Sequence, residues 1–458
     1  MIRDAEEGSG VKKMIVMKFG GTSVRNAAWI DKVLDIVKDQ LQNNPVLVAS
    51  AMGKTTDKLQ AIANAAEQGR AQDAHTQLVV LKEFHLQEIN IFLSGKYKEQ
   101  CVNRINNYFK SLESIVKGLC LLKEKTKRSN DAILAFGELF STLVISCRSR
   151  ERGIDTTLLD SRELIKTDNN YSRAAPNFKL TNRKIIQKIK PQPGKLFITQ
   201  GFIGSTENGI TTTLGRGGSD YTATIIGAAL EAQEVQIWTD VNGIMTADPR
   251  VVPAASTIPF ITYREAAELA YFGANVIHPS TIQPAINQQI PVVVKNTNNF
   301  QAAGTIIKAK ALCDGVKTIS YKKQITLINI SSSRMLLAYG FLRRIFDIFG
   351  KYKTPVDLIS TSEVSVSVTI DRNDYIKEIM KELSQIGNAN SEDNKAIICL
   401  VGQELWKDSA FIARVFKSLC SIHIRMISLG SSDTNLSIVV PQTQCEEAVS
   451  LLHKEFFE

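Results

Sequence analysis

Short apolar runs that end in small residues recur along the N-terminal part of the chain. Residues 14–17 form such a run before KFGG, and residues 45–59 open with a second run that leads into a small-residue loop. Between them, residues 26–41 have apolar positions at the three- and four-residue spacing of an amphipathic helix. Similar runs begin near residues 196, 235 and 291. This alternation of buried strands and helices predicts an α/β fold with a mainly parallel central sheet.

The segment of residues 202–223 is rich in glycine and hydroxyl side chains, and it lies between a strand pattern and a helix pattern. Glycine allows the backbone to approach a ligand closely, and a helix that opens at Ser219 directs free N–H groups toward an anion. Arg216 and Asp220 stand on either side of Gly-Gly-Ser, so a guanidinium and a carboxylate on one loop would suit a zwitterion. A surface loop that only caps the following helix is the alternative interpretation.

The first strand, Gly-Gly and helix form a second pattern that suits an anion. Lys18 ends the strand, so its ammonium would lie over a phosphate that the amides of Gly20 and Gly21 hold. The spacing is neither that of a Walker P-loop nor that of a dinucleotide fold. Thr56 lies near the start of the next helix, as a cap or as a ligand. Glu138 interrupts an apolar helical run, so it is either at an exposed edge or a functional charge.

The pattern changes at about residue 314, where strands and helices alternate in two similar passes. Each pass predicts the order strand, helix, strand, strand, helix, and the phrases GFLRRIF and AFIARVF recur about 70 residues apart. This pattern indicates a duplicated ferredoxin-like (βαββαβ) unit. We therefore predict three domains, at residues 14–308, 314–390 and 391–458.

The composition argues against several classes of protein. A chain of 458 residues exceeds the size of one core, and its net charge of +9 comes from scattered basic residues, which suits small anionic substrates better than nucleic acid. Seven cysteines without CxxC and five histidines without ligand spacing predict neither a disulfide framework nor a transition-metal site. The polar N-terminus and the lack of an apolar run of about 18 residues predict a cytoplasmic protein without membrane contact.

Six segments resemble the successive signature segments of aspartate kinases, in the amino acid kinase superfamily: KFGGTSV at 18–24, residues 50–56, 136–138 and 215–220, WTDVNGIMTADPR at 238–250, and residues 272–279. The C-terminal duplication resembles the paired ACT domains that regulate these enzymes. The resemblance implies an amino acid kinase-like three-layer sandwich followed by two ACT domains. It also implies transfer of the γ-phosphoryl group of ATP to the β-carboxylate of L-aspartate. A monofunctional enzyme is expected, because no room for a dehydrogenase domain follows the second ACT unit.

The resemblance further implies roles for individual residues. The candidates for catalysis are Lys18, Gly20, Gly21 and Asp220. Aspartate would bind through Thr56, Glu138, Arg216 and Ser219, with Arg216 on its α-carboxylate and Glu138 on its α-ammonium group. The candidates for ATP binding are Lys18, Gly21, Thr239, Asp240, Met245, Asp248, Arg250 and Asn275; Lys295 is either a further member or a strand end that reaches solvent.

The expected chemistry needs neither a general base nor a metal site of the protein. A carboxylate with a pKa near ~4 is already ionised at neutral pH, so the enzyme has to position two anions and neutralise charge. Mg²⁺ would arrive on the phosphates of ATP. Two departures from the family pattern bear on the nucleotide: Asn275 stands where many relatives have lysine, and Met245 replaces an aromatic residue.

Part of the first ACT unit resembles the effector-binding segment of lysine-inhibited aspartate kinases. The matching residues are Met335, Gly340, Phe341, Leu342, Asp357, Thr361, Ser362, Glu363 and Val364. Asp357 would pair with the α-ammonium group of lysine and Glu363 with its ε-ammonium group, unless these residues only form a dimer interface. The ACT units imply a homodimer or a dimer of dimers.

Two other functions remain as alternatives. One is a superfamily member that phosphorylates a different carboxylate or a carbamate, against which residues 216–220 and the ACT pair argue. The other is a catalytically weak or inactive amino-acid sensor. Asn275 favours the sensor, whereas intact Lys18, Glu138 and Arg216 oppose it.

Overall fold

The computed structural model describes residues 14–272, 277–310, 315–332, 339–371, 373–430 and 432–458. The chain divides into two compact units. The first unit comprises Met1–Gly243 and Ile277–Ala309, and the second comprises Ile244–Val276 and Lys310–Glu458. The predicted catalytic region, 14–308, therefore differs from the first unit in one segment, because residues 244–276 pack with the C-terminal part of the chain.

The first unit begins with elements in the following chain order: β1 (Ile15–Phe19), α1 (Ala27–Asp39), β2 (Pro45–Ala49), α2 (Thr55–Glu67), α3 (Ala71–Phe92), α4 (Gly95–Leu122), α5 (Lys127–Leu134), α6 (Phe136–Glu151), β3 (Asp155–Leu159), α7 (Ser161–Leu164), β4 (Lys166–Thr167), α8 (Phe178–Lys188), β5 (Lys195–Gln200), β6 (Ile203–Thr206), β7 (Thr211–Thr213), α9 (Gly218–Ala229) and β8 (Glu234–Thr239). The second unit takes β9 (Phe260–Thr262) and α10 (Tyr263–Tyr271). The chain then returns to the first unit with α11 (Pro279–Asn287), β10 (Val292–Asn296) and β11 (Thr305–Lys308).

The strands of the first unit form the predicted, mainly parallel sheet. They are hydrogen-bonded in the order β3-β5-β2-β1-β8-β10-β11, and β11 runs antiparallel to β10 whereas the other pairs are parallel. A smaller sheet has the order β4-β6-β7. In a parallel sheet the loops that follow the strands meet at one edge, where ligands bind.

Helix α1 illustrates how the sequence pattern produces the packing. The side chain of Asn26 accepts a hydrogen bond from Trp29 N at 3.1 Å and caps the helix. Ile30, Val33 and Leu34 then recur at helical spacing and are fully buried in the core. Burial of each such side chain contributes roughly 1.5–3 kcal/mol. The apolar face of α1 therefore determines how this helix packs against the core.

The segment Lys127–Glu151, which contains α5 and α6, is more apolar than the sequence analysis anticipated. Its mean hydropathy reaches 1.4 over a window long enough to span a membrane. However, 89% of that window is buried inside the structure, and α6 is buried on nearly all sides. A helix that is apolar on all faces and surrounded by protein is typical of the core of a large domain. We therefore assign it as a core helix.

The remaining elements belong to the second unit: β12 (Gly315–Ser331), α12 (Phe341–Lys351), β13 (Ile359–Thr361), β14 (Ser365–Ile370), α13 (Ile376–Leu383), β15 (Asn388–Gln403), α14 (Ser409–Ser418), β16 (Met426–Leu429), β17 (Asn435–Pro441) and α15 (Cys445–Phe457). The strands form one antiparallel sheet in the order β13-β14-β12-β15-β17-β16. This sheet contains two ferredoxin-like halves, and the long strands β12 and β15 each contribute residues to both halves.

The division between the two halves differs from the predicted boundary at residue 391. The second part of β12 pairs with β14 and with the start of β15, as in Ile328 with Ser391. The first part of β12 instead pairs with the end of β15, as in Ile319 with Leu400. The second half therefore takes one strand from residues upstream of the first half. The pattern predicted strands only at 324–331 and 396–402, because the polar flanks of both strands lack the apolar signal.

Candidate active site

The carboxyl end of β1 brings a lysine and a carboxylate together. Lys18 Nζ lies 2.6 Å from Asp220 Oδ1, and both side chains are largely shielded from solvent. The loop after β1 lies against the loop after β2, where Gly53 N donates to Gly21 O at 3.2 Å. A Cβ on Gly21 would lie 3.0 Å from Ala51 O and 3.1 Å from Gly53 O, so this approach requires glycine.

The glycine-rich segment turns directly into α9. Gly215 and Gly217 have φ values of 81° and 70°, which L side chains rarely adopt. The helix begins at Gly218, one residue before the predicted start, and its first-turn N–H groups face the preceding loop. Ser50 Oγ donates to Ser219 Oγ at 2.9 Å, so the loop after β2 is tied to the start of α9. The structure therefore argues against the alternative interpretation, a surface loop that only caps the following helix.

Glu138 is the most unusual charge in this region. Its side chain is buried, with 3% exposure, and Oε1 accepts a hydrogen bond from Ala51 N at 3.2 Å. Oε2 is also buried but has no hydrogen-bond partner among the described residues. Burial raises the pKa of Glu138 to about 8, although the bond from Ala51 opposes this shift. An unsatisfied buried oxygen of this kind provides a place for a cationic ligand group.

These elements enclose a cavity of about 360 Å³ in the first unit. Seven residues named from the sequence line it: Lys18, Gly21, Thr56, Glu138, Arg216, Ser219 and Asp220. Gly20 lies beside it, since a Cβ there would be 3.5 Å from Lys18 Nζ. Thr56 is inside α2, whose N-cap is Lys54, so Thr56 is not the cap.

Other lining residues had been assigned no role. They are Ser50, Ala51, Gly53, Phe202, Gly215, Gly217 and Gly218. The glycines and Ser50 lie inside segments that the family resemblance had already marked. Phe202 is the first residue of the glycine-rich segment but was given no role. It has a φ of 67° and contacts the start of α9, since a Cβ on Gly218 would lie 2.8 Å from its ring. Only the folded backbone identifies that residue.

The predicted nucleotide residues are divided between the two units. Thr239 and Asp240 follow β8 in the first unit, where Thr239 Oγ1 donates to Asp240 Oδ1 at 3.1 Å. Lys295 Nζ lies 5.4 Å from the centroid of the Trp238 ring. Asn275 lies outside the described residues.

Met245, Asp248 and Arg250 belong to the second unit and do not line the cavity. Asp248 Oδ2 lies 2.7 Å from Arg250 and accepts a hydrogen bond from the hydroxyl of Tyr321 at 3.2 Å. The bond from Arg250 lowers the pKa of Asp248. Asp248 and Arg250 therefore form an ion pair within the second unit.

Comparison with known proteins identifies the family. Residues 13–296 match the model of the amino acid kinase family, and residues 398–456 match that of the ACT domain. The chain is 37% identical to aspartokinase 1, chloroplastic, of Arabidopsis thaliana over 97% of this chain and 80% of that protein. It is 35% identical to lysine-sensitive aspartokinase 3 of Escherichia coli over 98% of this chain and 100% of the relative. The chain belongs to the aspartokinase family.

Solved structures of this family share the fold. The structure of E. coli aspartokinase III in complex with aspartate and ADP (R-state) has a TM-score of 0.82 at 35% identity and covers 97% of this chain and 100% of its own. The same enzyme in complex with lysine and aspartate (T-state) gives 0.83. The predicted fold class and the predicted aspartate kinase activity are thus confirmed.

The candidate effector residues of this aspartokinase lie in the first ferredoxin-like half. Gly340, with a φ of 79°, precedes α12, which Phe341 and Leu342 begin. Thr361 ends β13, while Ser362, Glu363 and Val364 form the exposed turn to β14. Met335 lies outside the described residues.

The side chain of Asp357 is shielded from solvent, whereas a residue that binds an effector directly has to be accessible. Its side chain is only 2% exposed, and Oδ1 accepts a hydrogen bond from Lys322 Nζ at 3.0 Å. The same ammonium lies 2.7 Å from Asp371. Burial raises the pKa of Asp357, while Lys322 opposes the shift. The chain itself therefore supplies the cation that the sequence analysis expected from the effector.

Proposed function

We propose that the first-unit cavity binds L-aspartate beside the γ-phosphate of ATP. The β-carboxylate oxygen would attack the γ-phosphorus, the bond to the β–γ bridging oxygen would break, and ADP would leave from 4-phospho-L-aspartate. The observation that carries this proposal is the buried, unpartnered Oε2 of Glu138 in the same cavity as Arg216. A carboxylate and a guanidinium on one wall suit the α-ammonium and α-carboxylate groups of an amino acid.

We assign the phosphates to a different group of residues at this cavity. Lys18 and the amides of Gly20 and Gly21 are the candidates for the transferred phosphoryl group, and Asp220 holds Lys18 in position. Thr56 and Ser219 complete the substrate side. Thr239, Asp240, Met245, Asp248, Arg250 and Asn275 remain predictions for the nucleotide. Mg²⁺ belongs to this proposal as an ion carried by the phosphates of the nucleotide.

Trapping the acyl phosphate with hydroxylamine tests the reaction. We expect hydroxamate that depends on both ATP and L-aspartate, and an Arg216→Ala variant that needs at least tenfold more aspartate, because it lacks a charge-assisted bond. Arg183→Ala, which removes an arginine from α8, is the matched control and should behave as the wild type. Equal activity with other carboxylates, or an Arg216→Ala variant with unchanged kinetics, would refute the assignment.

We further propose that L-lysine inhibits the enzyme through the first ferredoxin-like half. Asp357 would receive the α-ammonium group and Glu363 the ε-ammonium group, beside Gly340, Phe341 and the turn after β13. Lys322 already pairs with Oδ1 of Asp357, so the effector would have to bind through Oδ2, which is buried and has no hydrogen-bond partner among the described residues. A homodimer or dimer of dimers through the ACT units and a cytoplasmic location belong to the same proposal.

Lysine titration of the activity tests the regulatory proposal. Inhibition that weakens at least tenfold in Asp357→Asn, with unchanged kinetics in the absence of lysine, is the expected result. Activity that stays constant up to millimolar lysine would remove lysine as the effector. Lysine binding without any hydroxamate formation would instead favour the amino-acid sensor.

A further inference from the structure

A second cavity lies entirely within the second unit, and none of its lining residues is assigned to aspartate or lysine. Its volume is about 400 Å³, which is within the range of small-molecule sites, about 300–1,000 Å³. It lies between the segment that ends in β9 and α10, the start of β12, and the end of α15. Its walls are mostly apolar, with Ile258, Phe260, Val316 and Phe457 among them.

A buried carboxylate lines this apolar cavity. Glu265 is the third residue of α10 and is only 1% exposed. Its Oε2 accepts hydrogen bonds from Thr262 N at 2.7 Å and from Thr262 Oγ1 at 2.8 Å, in a capping box. Its Oε1 is equally buried but has no partner among the described residues. The helix cap therefore uses one oxygen and leaves the other without a donor from the described part of the chain.

The hydroxyl groups around Glu265 are already engaged. Thr262 Oγ1 receives a hydrogen bond from Gln403 Nε2 at 3.2 Å in addition to its cap. Thr246 Oγ1 contacts His453 Nε2 at 3.0 Å and accepts from Ser256 N at 3.0 Å. Glu265 Oε1 is therefore a buried acceptor without a partner among the described residues, next to threonine hydroxyls that are already bonded. Such an acceptor selects a cationic donor.

Two basic side chains line the same cavity. Lys310 is exposed and Lys317 is partly buried, and Glu265 is the sole acidic residue among the described lining. Opposite charges on an apolar cavity favour a molecule that has an ammonium group, an anionic group and an apolar body. Free α-amino acids with large apolar side chains combine these three features.

We propose that this cavity is a second amino-acid site, which binds an apolar α-amino acid. The ammonium group binds Glu265 Oε1, the carboxylate lies toward Lys310 and Lys317, and the side chain packs on Ile258 and Phe457. The site does not depend on the proposed aspartate and lysine sites. It gives the regulatory unit a second effector class with an apolar side chain.

Calorimetric titration of the full-length protein tests this proposal with L-phenylalanine and L-leucine as probes. We expect one of them to bind, and we expect 3-phenylpropionate, which lacks the ammonium group, and 2-phenylethylamine, which lacks the carboxylate, to bind at least tenfold more weakly. Arg216→Ala and Asp357→Asn should leave this binding unchanged, because they alter the proposed aspartate and lysine sites. Binding that either variant abolishes would place the amino acid elsewhere and overturn the proposal.

Two variants test the residues directly. Glu265→Gln keeps a side-chain acceptor for the capping box, yet places an amide where Oε1 was free, so amino-acid binding should weaken at least tenfold. Lys317→Met should weaken binding of L-phenylalanine but not of 2-phenylethylamine, and Lys377→Met, at an exposed position of α13, is its matched control. Unchanged melting temperatures of the variants establish that they fold.

The outcome that overturns the site is equally defined. If neither L-phenylalanine nor L-leucine binds at millimolar concentration, or if Glu265→Gln binds as the wild type does, the cavity has no such ligand. Should Glu265→Gln fail to fold, Ser256→Leu provides the second test, because it adds bulk at a residue that lines the cavity. Retention of full binding in Ser256→Leu would contradict the proposal.

Discussion

A single buried carboxylate gives the active site its expected pH dependence. The pKa of Glu138 is raised to about 8 by burial, so the free carboxyl is largely neutral at pH 7. Only the ionised form attracts the α-ammonium group of aspartate. The KM for aspartate should therefore fall by roughly tenfold per unit as the pH rises toward about 8, and should then level off. Initial rates at varied aspartate between pH 6 and 9 measure this dependence, with the KM for ATP as internal control.

The Glu138→Gln variant separates this effect from other titrations. Its amide is neutral at every pH, so KM should be raised at least tenfold and should no longer vary through this range. The pKa of Glu138 in the folded state lies above that of an unfolded glutamate, so the folded state keeps its proton to a higher pH. The wild type therefore loses stability as the pH rises from the unfolded pKa to about 8. The variant should not show this loss of stability. A wild-type KM that is flat with pH would contradict the interpretation.

Lys322 offers a second test at the residue scale. Lys322→Met leaves Asp357 and Asp371 without their shared ammonium, and should destabilise the protein by roughly 2 kcal/mol at neutral pH, because one carboxylate is buried. If lysine binds at Asp357, it should raise the melting temperature of this variant more than that of the wild type. Lys323→Met, which removes an exposed ion pair with Glu446, is the control and should have little effect. Equal shifts with lysine in both variants would argue against the site.

Residue types and spacing singled out several residues of the cavity proposed for aspartate, and the family resemblance supplied their roles. Lys18, Glu138 and Arg216 are charges in unusual local patterns, and the fold brings all three to one cavity. The pairing of Asp357 with Lys322 could not be predicted, because it joins strand β12 to the irregular segment before β13, and the sequence does not specify how these two pack. Phe202 was missed for a related reason, since its conformation is set by packing.

At the scale of elements, one glycine allows α6 to approach the loop after β2. A Cβ on Gly137 would lie 2.9 Å from Ala51 Cβ and 3.4 Å from the Leu59 side chain. Gly137→Ala should therefore shift the helix, destabilise the protein by roughly 1–3 kcal/mol and raise the KM for aspartate, since Glu138 is the next residue. Denaturant unfolding and initial rates measure both effects.

Gly118 in α4 provides the matched control for that change. A Cβ there has no neighbour within 4 Å, so Gly118→Ala should stabilise the helix by about 0.5–1 kcal/mol and leave KM unchanged. The two substitutions are chemically identical and occur in helices of the same unit. A Gly137→Ala variant as stable as Gly118→Ala would show that α6 tolerates a wider spacing.

The elements themselves were predicted well where the apolar periodicity is strong. Strands β1, β2 and β8 and helix α1 follow directly from their apolar runs. The long strands β12 and β15 did not, because their polar flanks, such as 388–395, are largely exposed and have no apolar alternation that would indicate a strand. The exchange of a strand between the two ferredoxin-like halves therefore could not be read from the sequence.

At the scale of the whole molecule, the family resemblance predicted a catalytic part and a regulatory part. Residues 244–276 lie within the match to the amino acid kinase family, whereas the compact division places them in the second unit. These residues contain the signature DPR and therefore look catalytic in sequence. In the structure, Thr246 contacts His453, and Asp248 accepts from Tyr321, both in the second unit. Signature motifs report on chemistry, whereas the compact units are determined by which side chains pack together.

The proposed regulation makes a prediction that holds for any arrangement of the two units. If lysine lowers the equilibrium affinity for aspartate by some factor, aspartate must lower the affinity for lysine by the same factor, because both paths join the same states. Coupling free energies of about 1–3 kcal/mol are typical, which correspond to about 5- to 150-fold changes in affinity.

Calorimetric titration with lysine, with and without saturating aspartate in the absence of ATP, measures one factor, and the reverse titration measures the other. Asp357→Asn should reduce both factors toward one. If lysine inhibits turnover while neither affinity changes, the effector acts on the chemical step, and the residues around Lys18 become the place to look for its effect.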